Sequence, residues 1–125
     1  MSILRVDNFG PSAGGTTYSA GGIAKAWVNF NGTGTVAIRD SENVASLTDS
    51  GSGKYLISFS STFSATDYCN NVTTKGVAAT FSGLGSEDHD TARTTSSLSV
   101  YSTRPDTLAV TDSASVSITT HGDLA

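Results

Sequence analysis

The chain has 125 residues, enough for one domain or for one domain plus an arm. Only 14% of them are charged, while 20 are Ser and 18 are Thr, so the chain is polar through hydroxyls and lacks the high charge of disordered sequences. The net charge of −4 arises wholly in residues 61–125, which carry seven acidic and three basic groups. That balance argues against nucleic-acid binding, which needs a basic footprint, and against docking on anionic lipid.

Large apolar side chains are few: five Phe, four Tyr, one Trp and one Met. At roughly 25 cal/mol per Å² of buried apolar surface, such a core is thin. Assembly with further copies is the expected supplement. No apolar run approaches the roughly 18 residues of a membrane span, so no membrane insertion is expected. Residues 1–7 lack the long apolar stretch of a secretory signal, which places synthesis in a cytosol. A single cysteine, Cys69, excludes an intrachain disulfide framework and is expected to be a small buried hydrophobe.

In chain order, period-2 alternation recurs and helical periodicity does not. Ile3 to Asn8 predicts a short strand. Gly10 to Gly22 is glycine-rich and predicts a hinge. Ala24, Ala26, Val28 and Phe30 then share one strand face, with Lys25, Trp27 and Asn29 on the other. Asn31-Gly32 predicts a hairpin turn, followed by a returning strand through Val36 and Ile38. A second turn at Asp49–Gly53 leads into Tyr55, Ile57 and Phe59. Tyr68, Asn70, Val72 and Thr74 share a face, and Val77, Ala79 and Phe81 form another alternating run. Gly83 to Thr91 reads as an acidic loop. Leu98 and Val100, then Leu108 and Val110, then Val116 and Ile118 predict the last strands.

About eight short strands at regular spacing predict an all-β, antiparallel β-sandwich, jelly-roll-like in the wider sense. The expected organisation is an anchoring arm and hinge over 1–22, a body over 23–121 and a loose tail over 122–125.

No catalytic constellation stands out, so no enzyme activity and no cofactor are expected. There is no Gly-x-Ser-x-Gly elbow, and Gly32-Thr33-Gly34 lacks the third glycine of a dinucleotide fingerprint. Glu87, Asp88, His89 and Asp90 are weak candidates for a divalent cation, against a solvated loop tip as the favoured reading. Trp27, Tyr55, Tyr68 and Tyr101 are candidates for contact with a partner subunit or a glycan.

The run Ala26-Trp27-Val28-Asn29-Phe30-Asn31-Gly32-Thr33-Gly34-Thr35-Val36 resembles a segment of small tail-fibre-like virion proteins of tailed bacteriophages. Arg39-Asp40-Ser41-Glu42-Asn43-Val44, the turn Thr48-Asp49-Ser50-Gly51-Ser52-Gly53-Lys54-Tyr55, and then Phe59 and Tyr68 continue the likeness. Leu4-Arg5-Val6-Asp7-Asn8 is similar to the opening such proteins share, with Arg5 where Lys is usual. The likeness covers residues 3–8 and 26–68 and stops before Val77.

It implies a virion part, commonly a homotrimer, with Ile3, Leu4, Arg5, Val6, Asp7 and Asn8 anchoring it to other virion proteins of capsid or tail. The expected function is therefore a structural fibre or spike protein presenting a β-domain to the host surface, where a glycan is a candidate partner. The alternatives are a capsid-decorating protein that bridges shell subunits and a carbohydrate-binding module.

Overall fold

The computed structural model describes residues 2–10, 12–76 and 83–125. A two-residue ladder in the arm pairs β1 (Asn8–Phe9) with β2 (Tyr18–Ser19). The body contains β3 (Ala26–Asn31), β4 (Ala37–Glu42), β5 (Val44–Gly51), β6 (Lys54–Phe59), β7 (Cys69–Thr74), β8 (Leu84–Glu87), β9 (Ser97–Thr103) and β10 (Val116–His121). These form two four-stranded antiparallel sheets, ordered β4-β3-β10-β7 and β5-β6-β9-β8. The expected all-β sandwich is what forms.

Between the sheets, β7 neighbours β8 and β4 neighbours β5. β10 thus returns beside β7, the first of the run β7-β8-β9, and β6 lies beside β9 at its other end. Both are Greek-key connections, which gives the sandwich its jelly-roll-like character.

Period-2 alternation builds the core. Ala26, Val28 and Phe30 of β3, Tyr55, Ile57 and Phe59 of β6, Leu98 and Val100 of β9, and Val116 and Ile118 of β10 all point inward and are buried. Because β6 carries an aromatic at each end, the core closes with two aromatic clusters. Phe30 and Tyr55 meet edge-on at 4.9 Å, and Phe59, Phe63 and Tyr68 stand 4.5–5.8 Å apart. Such pairs add to area burial by about 0.5–1.5 kcal/mol each.

β4 and β5 are separated by Asn43 alone, which takes a left-handed φ of 55°. Asparagine tolerates that conformation better than other side chains. Its side chain also accepts from Ser61 N at 2.6 Å and donates to Ser61 O at 3.1 Å, so the crossing from one sheet to the other is tied down.

Several expectations are corrected. Of the strand expected over Ile3 to Asn8, only Asn8 is strand, in a pair with Phe9; Ile3 to Val6 have no neighbouring strand to pair with. Gly83 to Thr91 contains β8, an edge strand whose glycine and acidic residues hide its pattern. Leu108 has a φ of 56° and is exposed, and Val110 makes only an isolated bridge to Thr103, so no strand forms there. The last four residues are not loose: Asp123 O accepts from Ser64 N at 2.8 Å, Ala125 N donates to Thr62 O at 2.9 Å, and Leu124 bridges Phe63. The run Val77, Ala79 and Phe81 lies outside the described residues.

Candidate functional site

The outer face of the first sheet carries the most distinctive surface. The registers set Trp27 of β3 between Glu42 of β4 and Thr119 of β10, with Asn71 of β7 beyond. The next row is Asp40, Asn29, Ser117 and Thr73. Trp27 is half-buried in this field of hydroxyls, amides and carboxylates.

Asn29 organises it. Its Nδ2 donates to Ser117 Oγ at 2.8 Å and lies 3.3 Å from Ser115 Oγ, while its Oδ1 accepts from Arg39 Nη1 at 3.3 Å. An indole edge framed by fixed polar groups has the chemistry to meet the apolar face and the hydroxyls of a sugar. It equally suits an aromatic anchor between subunits.

Three of the four aromatic candidates fall elsewhere. Tyr55 and Tyr68 are core residues, at 0% and 3% exposure, and are not part of the surface. Their alternation with polar neighbours looks the same whether the aromatic face turns inward or outward. Burial raises both phenols to about 12. The Tyr68 hydroxyl lies 3.0 Å from the carbonyls of both Thr94 and Ser97. Tyr101 is on the outer face of the second sheet but is covered, with Lys54 Nζ 4.7 Å over its ring.

No family model, curated protein or solved structure matches the chain.

The acidic candidates divide. Glu87 is committed to Arg93, whose Nε donates to it at 2.7 Å and whose Nη2 pairs with its other oxygen, and to Asn70 Nδ2 at 3.2 Å. Asp88, His89 and Asp90 do stand together, with His89 Nε2 3.1 Å from Asp90 Oδ1 and both side chains exposed. Asp88 is buried and already occupied: its Oδ1 accepts from Asp90 N at 2.8 Å and its Oδ2 from Ser99 Oγ at 3.0 Å. Those bonds fold the loop back onto β9 and leave Asp88 few free lone pairs for a cation.

The arm residues Ile3, Leu4, Arg5, Val6, Asp7 and Asn8 are all exposed, Leu4 at 85% and Ile3 at 72%. Within the arm Ala20 N donates to Asp7 O at 2.8 Å, and Lys25 Nζ, at the start of the body, donates to Ala20 O at 2.9 Å. Cys69, expected inside, is exposed, because it precedes Asn70, Val72 and Thr74 by odd steps and so shares the outer face with Asn71 and Thr73.

Proposed function

We propose that this chain is a structural bacteriophage virion protein of the fibre or spike kind, non-enzymatic and homotrimeric. Its N-terminal arm inserts into another virion protein and its sandwich points outward to the host surface. The observation that carries this reading is the arm. Ile3, Leu4 and Val6 expose apolar side chains on a segment with almost no secondary structure, beside a body whose core is complete without them. Apolar surface held out in this way calls for a partner that buries it. The resemblance at Leu4–Asn8 and at the Trp27 hairpin supports the same reading.

Removing residues 2–9 is expected to shift stability by no more than about 0.5 kcal/mol, since none of them is buried. The same deletion is expected to abolish incorporation into particles. Incorporation at parental levels would sink the anchoring role. Electron microscopy with a label on the chain is expected to mark discrete projecting sites. A uniform shell-wide label would replace the fibre reading with that of a capsid-decorating protein. Light scattering is expected to give three times the 12.8 kDa chain mass; a stable monomer would overturn the trimer.

The partly exposed indole favours one second reading, contact with a host-surface glycan through the outer face of the first sheet. Trp27→Ala is expected to leave the melting temperature within a few degrees of the parent and to lower glycan-array binding at least tenfold. Unchanged glycan binding would remove Trp27 from any recognition surface.

A further inference from the structure

The chain contains six asparagines, and Asn31 alone precedes a glycine. The others precede Phe, Val or a second Asn, whose side chains crowd the backbone nitrogen that follows. An Asn-Gly pair carries its own chemistry. The glycine nitrogen can attack the asparagine Cγ and close a five-membered imide. The Cγ–Nδ2 bond then breaks, and Nδ2 leaves as ammonia with the proton that the glycine nitrogen gives up. Water opens the imide at one of its two carbonyls. The product is aspartate, or isoaspartate with the main chain running through Cβ.

Folding holds each reacting group away from that path. Gly32 N, the nucleophile, is buried and donates to Ser113 O at 2.9 Å. Asn31 Nδ2, the leaving group, donates to Thr33 O at 2.7 Å and to Thr35 O at 3.3 Å. Asn31 Oδ1 accepts from Thr33 Oγ1 at 2.8 Å and from Thr33 N at 3.3 Å, which fixes the plane of the amide. Asn31 is the last residue of β3 and pairs with Ala37, so its backbone is extended. Closing the imide requires Gly32 N to leave Ser113 O and swing toward Cγ. The Gly32 carbonyl would then lose Tyr55 Oη, which donates to it at 2.9 Å from within the core. The packing leaves no slack for that swing: a single added carbon on Gly32 would collide with both Tyr55 Oη and Ser113 O.

The product does not fit the same turn. An aspartate at 31 replaces the Nδ2 donors with carboxylate lone pairs, which face the Thr33 and Thr35 carbonyl oxygens. An isoaspartate adds a methylene to the main chain just before Gly32. Gly32 then cannot meet Ser113 and Tyr55 together.

We infer that Asn31-Gly32 is a latent self-modification site, sealed by the folded turn and released when the turn opens. Its reaction is hydrolytic deamidation, with water as the co-reactant. Each opening exposes the chain to a step that is not reversed on reclosing. The site thereby converts transient opening into permanent loss of the fold. The turn alone supplies this chemistry, independently of any virion role.

The test follows the full-length chain at mildly alkaline pH, in buffer and fully unfolded in urea, side by side. Mass spectrometry of proteolytic peptides reads the conversion of Asn31 to aspartate and isoaspartate over time. In urea Asn31 is expected to react faster than the other five asparagines. In buffer it is expected to react more than about a hundredfold more slowly than in urea, because folded chains are unfolded about one part in a thousand of the time or less. Tyr55→Phe loosens the seal and leaves the Asn-Gly pair intact. It is expected to speed the reaction in buffer at least about fivefold and to leave the rate in urea unchanged. Chain deamidated in urea and returned to buffer is expected not to regain the parental melting transition. Equal rates in buffer and in urea would overturn the seal, and this comparison of the parent with itself needs no variant to fold. Equal rates for the parent and Tyr55→Phe in buffer would overturn it too, because the turn would then not be what protects Asn31. Recovery of the parental transition by the deamidated chain would overturn the permanent loss.

Discussion

Gly32→Ala is expected to destabilise the fold by about 3 kcal/mol, the upper end of what overpacking a filled core costs. A Cβ at Gly32 would stand 2.2 Å from Tyr55 Oη, 2.5 Å from Tyr55 Cζ and 2.8 Å from Ser113 O. The glycine is there to let the Asn31–Gly34 turn close over the phenol. Tyr55 Oη donates to the Gly32 carbonyl at 2.9 Å and accepts from Ser113 N at 3.3 Å. Gly32 N in turn donates to Ser113 O at 2.9 Å. One buried hydroxyl thus joins the β3–β4 turn to the segment entering β10, and anything that displaces the ring breaks this set together.

Tyr55→Phe keeps the edge-on packing on Phe30 and removes only the hydroxyl. It is expected to cost about 1–3 kcal/mol, because it leaves a buried carbonyl and a buried amide short of a partner. Urea denaturation of the two single variants and of the double variant gives the coupling. The double variant is expected to be less destabilised than the sum, since losing Oη removes the 2.2 Å conflict, but not restored, since Cζ still blocks the new methyl. Strict additivity would mean that Gly32 and Tyr55 act separately.

What could be read from the sequence follows where a strand has one wet face and one dry face. Ala26-Val28-Phe30 and Tyr55-Ile57-Phe59 alternate cleanly, and their inward faces are the core. The Asn31-Gly32 turn was likewise visible, with Asn31 Oδ1 accepting from Thr33 Oγ1 at 2.8 Å. β5 and β8 leave no such trace. β5 is an edge strand that is mostly exposed and needs no apolar alternation. In β8, Gly85 replaces the inward side chain because a Cβ there would meet the Val72 carbonyl oxygen at 2.9 Å, where β8 closes against β7. On β9, Leu98 to Ser102 are all buried, with Ser99 and Tyr101 covered from outside by the Asp88 loop and Lys54.

The candidate surfaces divide in the same way. Trp27 was assigned to the polar face of its strand and stands there, because only its immediate neighbours decide the matter. The sealing of Asn31-Gly32 by Ser113 depends on a contact that joins distant parts of the chain and has no local signature. Tyr55 and Tyr68 were ambiguous for a similar reason: a tyrosine between polar residues is compatible with either face until its opposing sheet is known.

Asp88 sets the second large effect. Asp88→Ala is expected to destabilise the chain by about 1–3 kcal/mol at neutral pH, through unpaired donors left against β9. Burial alone would raise this carboxyl. Hydrogen bonds from the Asp90 amide and the Ser99 hydroxyl, with the polar groups of Tyr101 and Thr91 beside it, outweigh that and hold it well below the usual carboxylate range. With a folded-state pKa below the unfolded value, the group stabilises the fold above about pH 4, where the unfolded carboxyl is ionised. That contribution falls away as the pH drops from about 4 through the depressed folded value. The parent is therefore expected to lose stability steadily in that acid window, and Asp88→Ala to show a flatter acid limb and a smaller deficit at low pH than at pH 7. Asp88→Asn keeps the Asp90 amide bond on its Oδ1 but turns its NH₂ toward Ser99 Oγ, where the hydroxyl must reverse its bond and the charge is lost. Its stability should lie between those of Asp88→Ala and the parent, with a flat acid limb. A parallel acid limb in all three proteins, measured by urea midpoints between pH 3 and pH 7, would show that the carboxyl is not ionised in the folded chain in the manner its partners require.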